Sequence, residues 1–283
     1  MIATPIGNLG DLGLRAREIL NAVDEIWCED TRHTRNLLSA SGVAQKTLRR
    51  VDQHISDEAL RGLLSRVQRE GLWVGVVSDA GTPGLSDPGA RMVQLLPEVP
   101  EIRLEPVPGP SALSALVSIG GFVGNSFIFQ GFFPRTEPAA LELLDQLRGA
   151  ALTPNWIFFE SPHRIREAGA TLERWCRERA LSPEFVFAKE LTKVHERIHR
   201  GAGASFLKIL QDPDLDVRGE WVFGVILSKE YLISQRPTEE WESALECLVL
   251  AGVSPKVAAQ VVSGRFSVAK NLAYKRALDL QKK

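Results

Sequence analysis

Ser78-Asp79-Ala80-Gly81-Thr82-Pro83, continued by Gly84-Leu85-Ser86-Asp87-Pro88-Gly89, holds proline and glycine too densely for a helix. Its glycines let a backbone approach a small molecule closely and present bare N–H and C=O groups to it. Gly-Thr-Pro and Asp-Pro-Gly are also ordinary turn chemistry. Two of them in series, directly after one buried strand, favour a ligand loop. No Gly-Lys-Ser/Thr follows and the glycine spacing is not Gly-x-Gly-x-x-Gly, so a phosphate cradle is not the first reading. Two further clusters combine groups that move protons or hold a polar substrate: Glu29-Asp30-Thr31-Arg32-His33-Thr34 and Glu160-Ser161-Pro162-His163-Arg164. Each also makes an ordinary solvated helix start or ion pair, and the residues alone leave both readings open. Ser111, in Pro108-Gly109-Pro110-Ser111-Ala112-Leu113, sits where a helix begins; it caps that helix, faces a ligand, or does both.

The elements that position these groups alternate. Strands are expected over 25–28, 51–54, 72–77 and 102–107, with helices from about 14 to 20, 56 to 67 and 90 to 96 and after Ser111. Strand followed by helix, repeated, is a doubly wound α/β domain, whose ligands bind at the carboxyl ends of the strands. Only Met1-Ile2-Ala3 precede the first loop, so a first strand there is short. The run 127–134 carries apolar residues in both parities, which implies burial on both faces or packing at an interface. A second α/β domain then shows strands over 156–160, 184–190 and 220–227. A helix runs to about 179, a turn-rich connector over 198–203, and a helix over 205–210. Pro237 opens a tail of three helices, punctuated by Gly252, Ser254-Pro255, Gly264 and Ser267. From Lys256 onward, Lys256, Arg265, Lys270, Lys275, Arg276, Lys282 and Lys283 stand against Asp279 alone. Such a module suits nucleic acid, or is simply a basic, solvated bundle.

A chain of 283 residues accommodates two domains, and 44% apolar with 24% charged residues is ordinary for a globular protein. The formal net charge of −1 exerts no global pull on nucleic acid, so binding has to come from a local patch. Cys28, Cys176 and Cys247 are far apart and read as free thiols of a reducing cytoplasm. The histidines offer no metal-ligand spacing, and no apolar run reaches the roughly 18 residues of a membrane span. A cytoplasmic protein with no metal and no membrane is expected.

Taken in order, the segments already quoted, with Thr4-Pro5-Ile6-Gly7-Asn8-Leu9, Gln130-Gly131-Phe132-Phe133-Pro134, Lys189-Glu190-Leu191-Thr192-Lys193, Arg218-Gly219-Glu220 and Lys270-Asn271-Leu272-Ala273-Tyr274, span the chain. This series resembles the ribosomal RNA small subunit methyltransferase I family, within the tetrapyrrole (corrin/porphyrin) methylase superfamily. The resemblance implies a two-domain tetrapyrrole-methylase fold of the class III S-adenosylmethionine (SAM) methyltransferases, α/β in class, with a small helical C-terminal module. The implied domains are 1–122, 123–235 and 236–283. It implies S-adenosylmethionine as donor, the ribose 2′-hydroxyl of a cytidine in the decoding region of 16S rRNA as acceptor, the small ribosomal subunit as partner, and a homodimer. By the resemblance Gly81, Thr82 and Leu85 line the donor, Ser111 and Ala112 meet its methionine end, and Phe159, Leu191 and Trp221 close over it. Asp79 and Asp87 are expected to fix the loop through local hydrogen bonds. The family pattern carries a longer apolar run ahead of Thr4, so the strand at Met1-Ile2-Ala3 is expected to be truncated.

A ribose hydroxyl is a poor nucleophile near neutral pH, so a base or a proton path is called for. Asp30 and Arg32 stand first as catalytic residues, Glu160 and His163 next, with Glu29 and Glu190 as further carboxylates. Arg32, Arg164, Lys189 and Lys193 suit RNA phosphates. Two other functions fit the fold: a methylase of a tetrapyrrole or other small metabolite, against which the basic tail speaks, and a non-catalytic RNA-binding protein, against which the intact loops speak.

Overall fold

The computed structural model describes residues 1–87, 89–150, 152–227, 238–266 and 268–281. Pro88, Pro237, Ser267 and the expected boundary at 235/236 lie outside the described residues. After α1 (Leu14–Ala22), the wholly buried β1 (Glu25–Cys28) forms the axis of the first sheet. It pairs in parallel with β2 (Thr47–Arg50) on one side and β3 (Val74–Val76) on the other. Parallel neighbours need crossovers, which α2 (Thr31–Ala40) and α3 (Asp57–Glu70) supply. Helix α3 shows why its sequence folds so. Ser56 Oγ accepts the Ala59 N–H, Leu60, Leu64 and Val67 form one buried stripe, and Gly71 ends the helix in the left-handed region. The buried Glu25 is tolerated because Trp27 Nε1 and Arg66 both donate to its carboxylate.

Two expected strands are corrected here. Segment 102–107 pairs only at Val107, which bridges Ile2. Arg103, Leu104 and Glu105 are exposed and Pro106 has no N–H to give, so no ladder can extend. Met1-Ile2-Ala3 threads between β3 and Val107 as a strand stub: the Ile2 N–H donates to Val76 O at 2.8 Å and the Ala3 N–H to Val107 O at 3.1 Å. The strand expected over 51–54 instead lies at Thr47–Arg50, and Val51 makes only the last bond, to Cys28 O at 2.8 Å. Two of its four residues are arginines, so it carries no apolar run.

Helices α4 (Gly89–Leu95) and α5 (Ala112–Gly120) complete this half. The second sheet is five-stranded and mixed, in the order β4 (Ile128–Phe132), β5 (Asn155–Glu160), β8 (Trp221–Ile226), β6 (Glu184–Lys189), β7 (Arg197–Ala202). Only β4 and β5 are parallel; the other neighbours are antiparallel. α6 (Glu137–Ala150) and α7 (Ile165–Glu178) join β4 to β5 and β5 to β6, and α7 buries Leu172 and Trp175. The expected connector at 198–203 is a strand, paired residue by residue with β6 along the sheet edge. Gly201, a turn residue by type, sits within β7, where a Cβ would lie 2.2 Å from the Phe206 ring. α8 (Gly203–Phe206) passes into a 3-10 turn, Leu207–Gln211, where one helix was expected.

The chain divides into two compact units, Met1–Leu143 with Asn155–Ile226 and Leu144–Pro154 with Leu227–Lys283. Both sheets lie in the first. There α5 carries fully buried Leu116 onto Ile157, Val186 and Val222 of the second sheet, while the first sheet packs its own clusters around Leu20 with Ile26 and around Trp27 with Leu60. In the second unit α9 (Thr238–Leu250), α10 (Pro255–Phe266) and α11 (Lys270–Gln281) bury Trp241, Leu245 and Val262. Ala258, Ala259, Ala273 and Ala277 complete that core, side chains small enough to let helices approach closely.

Candidate functional site

The loop after β3 is held from three sides. Thr4 and Gly81 exchange both backbone hydrogen bonds, at 2.9 and 3.0 Å, and Gly81 adopts φ +79°, a conformation glycine reaches without strain. Thr82 Oγ1 donates to Pro110 O at 3.1 Å, tying the loop to the start of α5. The Asp87 carboxylate accepts the N–H groups of Gly84 at 2.8 Å and Gly89 at 2.7 Å. Asp87 therefore shapes the loop, as expected.

Against this loop lies a cavity of about 470 Å³, open between the ends of the two sheets. Gly81, Thr82 and Leu85 line one wall, Ser111 and Ala112 a second, and Phe159, Leu191 and Trp221 a third. All of the residues expected around a donor thus meet at one place. Ser111 stands at the N-cap of α5 yet makes no side-chain capping bond. Ile6, Ser86, Phe132 and Glu220, each within a segment quoted above but given no role there, also line the cavity, and Val222 of β8 joins them through the sheet alone.

The candidate catalytic residues separate. Asp30 and Arg32 do not reach the cavity. Asp30 is the N-cap of α2, accepting the N–H groups of Arg32 and His33, and Arg32 pairs with it at 3.2 Å while staying exposed. The Arg32 side-chain and backbone hydrogen bonds hold the Asp30 carboxyl down at about 2. His163 is exposed in the turn before α7 and is not part of the lining. Glu160 lines the cavity, but its buried carboxylate is occupied by Arg164, at 2.5 and 2.9 Å, and by the Ser161 N–H at 2.7 Å. Glu190 and Glu220 share Lys193, at 2.8 and 2.9 Å, and Glu190 lies outside the lining.

Glu29 is different. It lines the cavity, its Oε1 accepts the Asp79 N–H at 3.2 Å, and Asp79 in turn accepts the Asp30 N–H. Burial raises the Glu29 carboxyl above its ordinary value, the nearby Asp79, Asp87 and Asp52 carboxylates add to this, and the Asp79 N–H opposes it. Of the two adjacent carboxylates, Glu29 lines the cavity and Asp30 caps α2. Among the described residues no cluster of His, Cys, Asp or Glu is arranged to hold a metal, and no helix is long and apolar enough to cross a membrane.

Residues 1–206 match the family model of the tetrapyrrole (corrin/porphyrin) methylases. A protein of Vibrio cholerae serotype O1 named ribosomal RNA small subunit methyltransferase I is 35% identical over 281 residues, covering 99% of this chain and 93% of that protein. The chain belongs to the ribosomal RNA small subunit methyltransferase I family. A relative of the same name from Xylella fastidiosa is 39% identical over 222 residues, 78% of each chain. The tetrapyrrole methylase fold is seen directly in the crystal structure of uroporphyrin-III C-methyltransferase from Thermus thermophilus, complexed with S-adenyl homocysteine. It superimposes with a TM-score of 0.51 at 18% identity, covering 79% of this family member and 94% of that chain.

Proposed function

We propose that this protein transfers the methyl group of S-adenosylmethionine to the ribose 2′-hydroxyl of a cytidine in the decoding region of 16S rRNA. The match to a protein named for the small ribosomal subunit RNA carries this reading, because it runs past residue 206 through the helical tail. A likeness confined to the α/β unit would serve a tetrapyrrole methylase equally well.

The cavity suits the donor. Its volume of about 470 Å³ is that of a small-molecule site, and Leu85, Phe159 and Leu191 offer apolar cover for a nucleoside. The loop backbone at Gly81 and Thr82 and the uncapped start of α5 at Ser111 and Ala112 offer polar groups for the amino-acid end. When bound, S-adenosylmethionine supplies a methyl group on a sulfonium, a leaving group that needs no protonation.

The protein's own task is to align the ribose oxygen and remove its proton. In this reading Glu29 accepts that proton, since it faces the cavity and burial shifts its carboxyl upward, towards a base useful near neutrality. Glu160 is committed to Arg164, and Asp30 is too acidic to hold a proton. Arg32 and His163, both exposed, contact RNA, as do exposed Lys256, Arg265, Lys270 and Lys275 of the tail. Segments 1–122 and 123–235 act as the two donor-binding halves and 236–283 as an RNA-binding module, in a cytoplasmic homodimer.

The test is methyl transfer from labelled donor to purified small subunits lacking the modification, beside a tetrapyrrole precursor. Label in the ribose supports the reading; label in the tetrapyrrole alone overturns it.

A further inference from the structure

Strand β4 departs from regular pairing where it meets the cavity. Phe129 lies opposite Ile157 and Phe132 opposite Phe159, so three steps along β4 match two along β5. This is a bulge, with Gly131 at φ +70°. Residues three apart in a regular strand point to opposite faces. Here the extra residue turns both rings towards Phe159, with centroids at 4.8 Å for Phe129 and 5.9 Å for Phe132. The next residue, Phe133, swings to the other face and is buried against Phe158 and Phe223. The double parity of apolar residues around 127–134 has this origin.

The outcome is a large aromatic ring that lines the cavity yet remains 58% exposed. Phe159 packs against it at 71° between the ring planes, so the two rings are not stacked face to face and more than half of Phe132 stays open to solvent. Sequence-specific recognition of RNA overwhelmingly targets single-stranded segments whose bases can be splayed out, and aromatic stacking offsets the loss of neighbours. We propose that Phe132 is a positioning residue: the nucleobase of the target nucleotide stacks on its ring, setting the attached ribose at the mouth of the cavity. This rests on the rRNA reading above and adds the residue that captures the base.

Full-length wild type and the variants Phe132→Ala, Phe132→Leu and Phe132→Tyr are compared for donor affinity by calorimetry and for methyl transfer to unmodified small subunits. Stacking predicts that Ala and Leu raise KM for the subunit about ten- to hundredfold, that Tyr restores it, and that donor affinity is unchanged in all three. Leu performing like Phe would reduce the ring to apolar bulk and overturn the proposal. So would an unmoved KM, or a loss of donor affinity in its place. Those results, with wild-type transfer intact, leave the rRNA reading standing. Absence of wild-type transfer to the subunit, with donor bound, removes both.

Discussion

Glu29 and Asp79 clasp the ends of two adjacent strands where both residues line the cavity. The Asp79 N–H donates to Glu29 Oε1 at 3.2 Å, while the Asp79 carboxylate takes the N–H of Asp30 at 3.1 Å. The clasp ties the segment leaving β1 to the one leaving β3, and it orients the carboxyl that faces the donor site.

Replacing Glu29 by Gln keeps the acceptor for the Asp79 N–H but removes the base. Methyl transfer is expected to fall about 10²–10⁴-fold, with donor affinity unchanged by calorimetry. In the wild type, transfer should fall off on the acid side at a pH above the 4.5 of an ordinary glutamate, as Glu29 takes up a proton. The stability change has the opposite sense. A carboxyl raised in the folded state disfavours folding once ionised, and this cost grows as pH rises from the unfolded value through the folded one. Glu29→Gln should therefore match or exceed wild-type stability at pH 8 and lose that advantage at acid pH. An undiminished rate takes Glu29 off the proton path.

Asp30 is expected to behave as a cap. Asp30→Asn retains a side-chain oxygen for the first turn of α2 and should keep transfer near wild type. Asp30→Ala should speed amide exchange at Arg32 and His33. Because its folded value of about 2 lies below the ordinary 3.8, the cap's stabilisation is complete above the latter and lost as pH falls through the former.

The Glu160–Arg164 pair is buried on the carboxylate side, with the Glu160 side chain 1% exposed. Glu160→Ala takes the carboxylate from the guanidinium, leaving it the Phe133 carbonyl alone, and should cost about 3 kcal/mol. A lower denaturation midpoint with an unchanged m-value would register it.

Gly81→Ala places a β-carbon on a backbone at φ +79°, a strain of about 1–2 kcal/mol. The loop is expected to relax off its bridge with Thr4, weakening donor binding in calorimetry while the fold persists by circular dichroism.

Charge reversal at exposed Lys270 and Lys275 should weaken binding to the small subunit and flatten its salt dependence, with donor affinity untouched. Equal affinity and an equal salt slope would exclude the tail from the RNA footprint.

The amino-acid sequence by itself determined the ligand loops. Pro108 and Pro110 fix φ and remove N–H donors, while Gly81 permits the left-handed φ that its turn needs, and such local effects act whatever surrounds them. It determined β1, β5 and β8 for a similar reason, since unbroken apolar runs have nowhere to go but a core. The tertiary structure alone decided which groups meet. Edge strand β7 and the charged β2 exist because a neighbouring ladder takes up their N–H and C=O groups, and 102–106 stays out of the sheet because Arg103, Leu104 and Glu105 are exposed and Pro106 has no N–H to give. Glu29 rather than Asp30 faces the cavity because the chain turns into a helix between them and spends the second carboxylate on that turn. Phe132 faces it because one inserted residue in β4 reverses the alternation. Pairing and register are relations between segments far apart in the chain, and no window of sequence contains them.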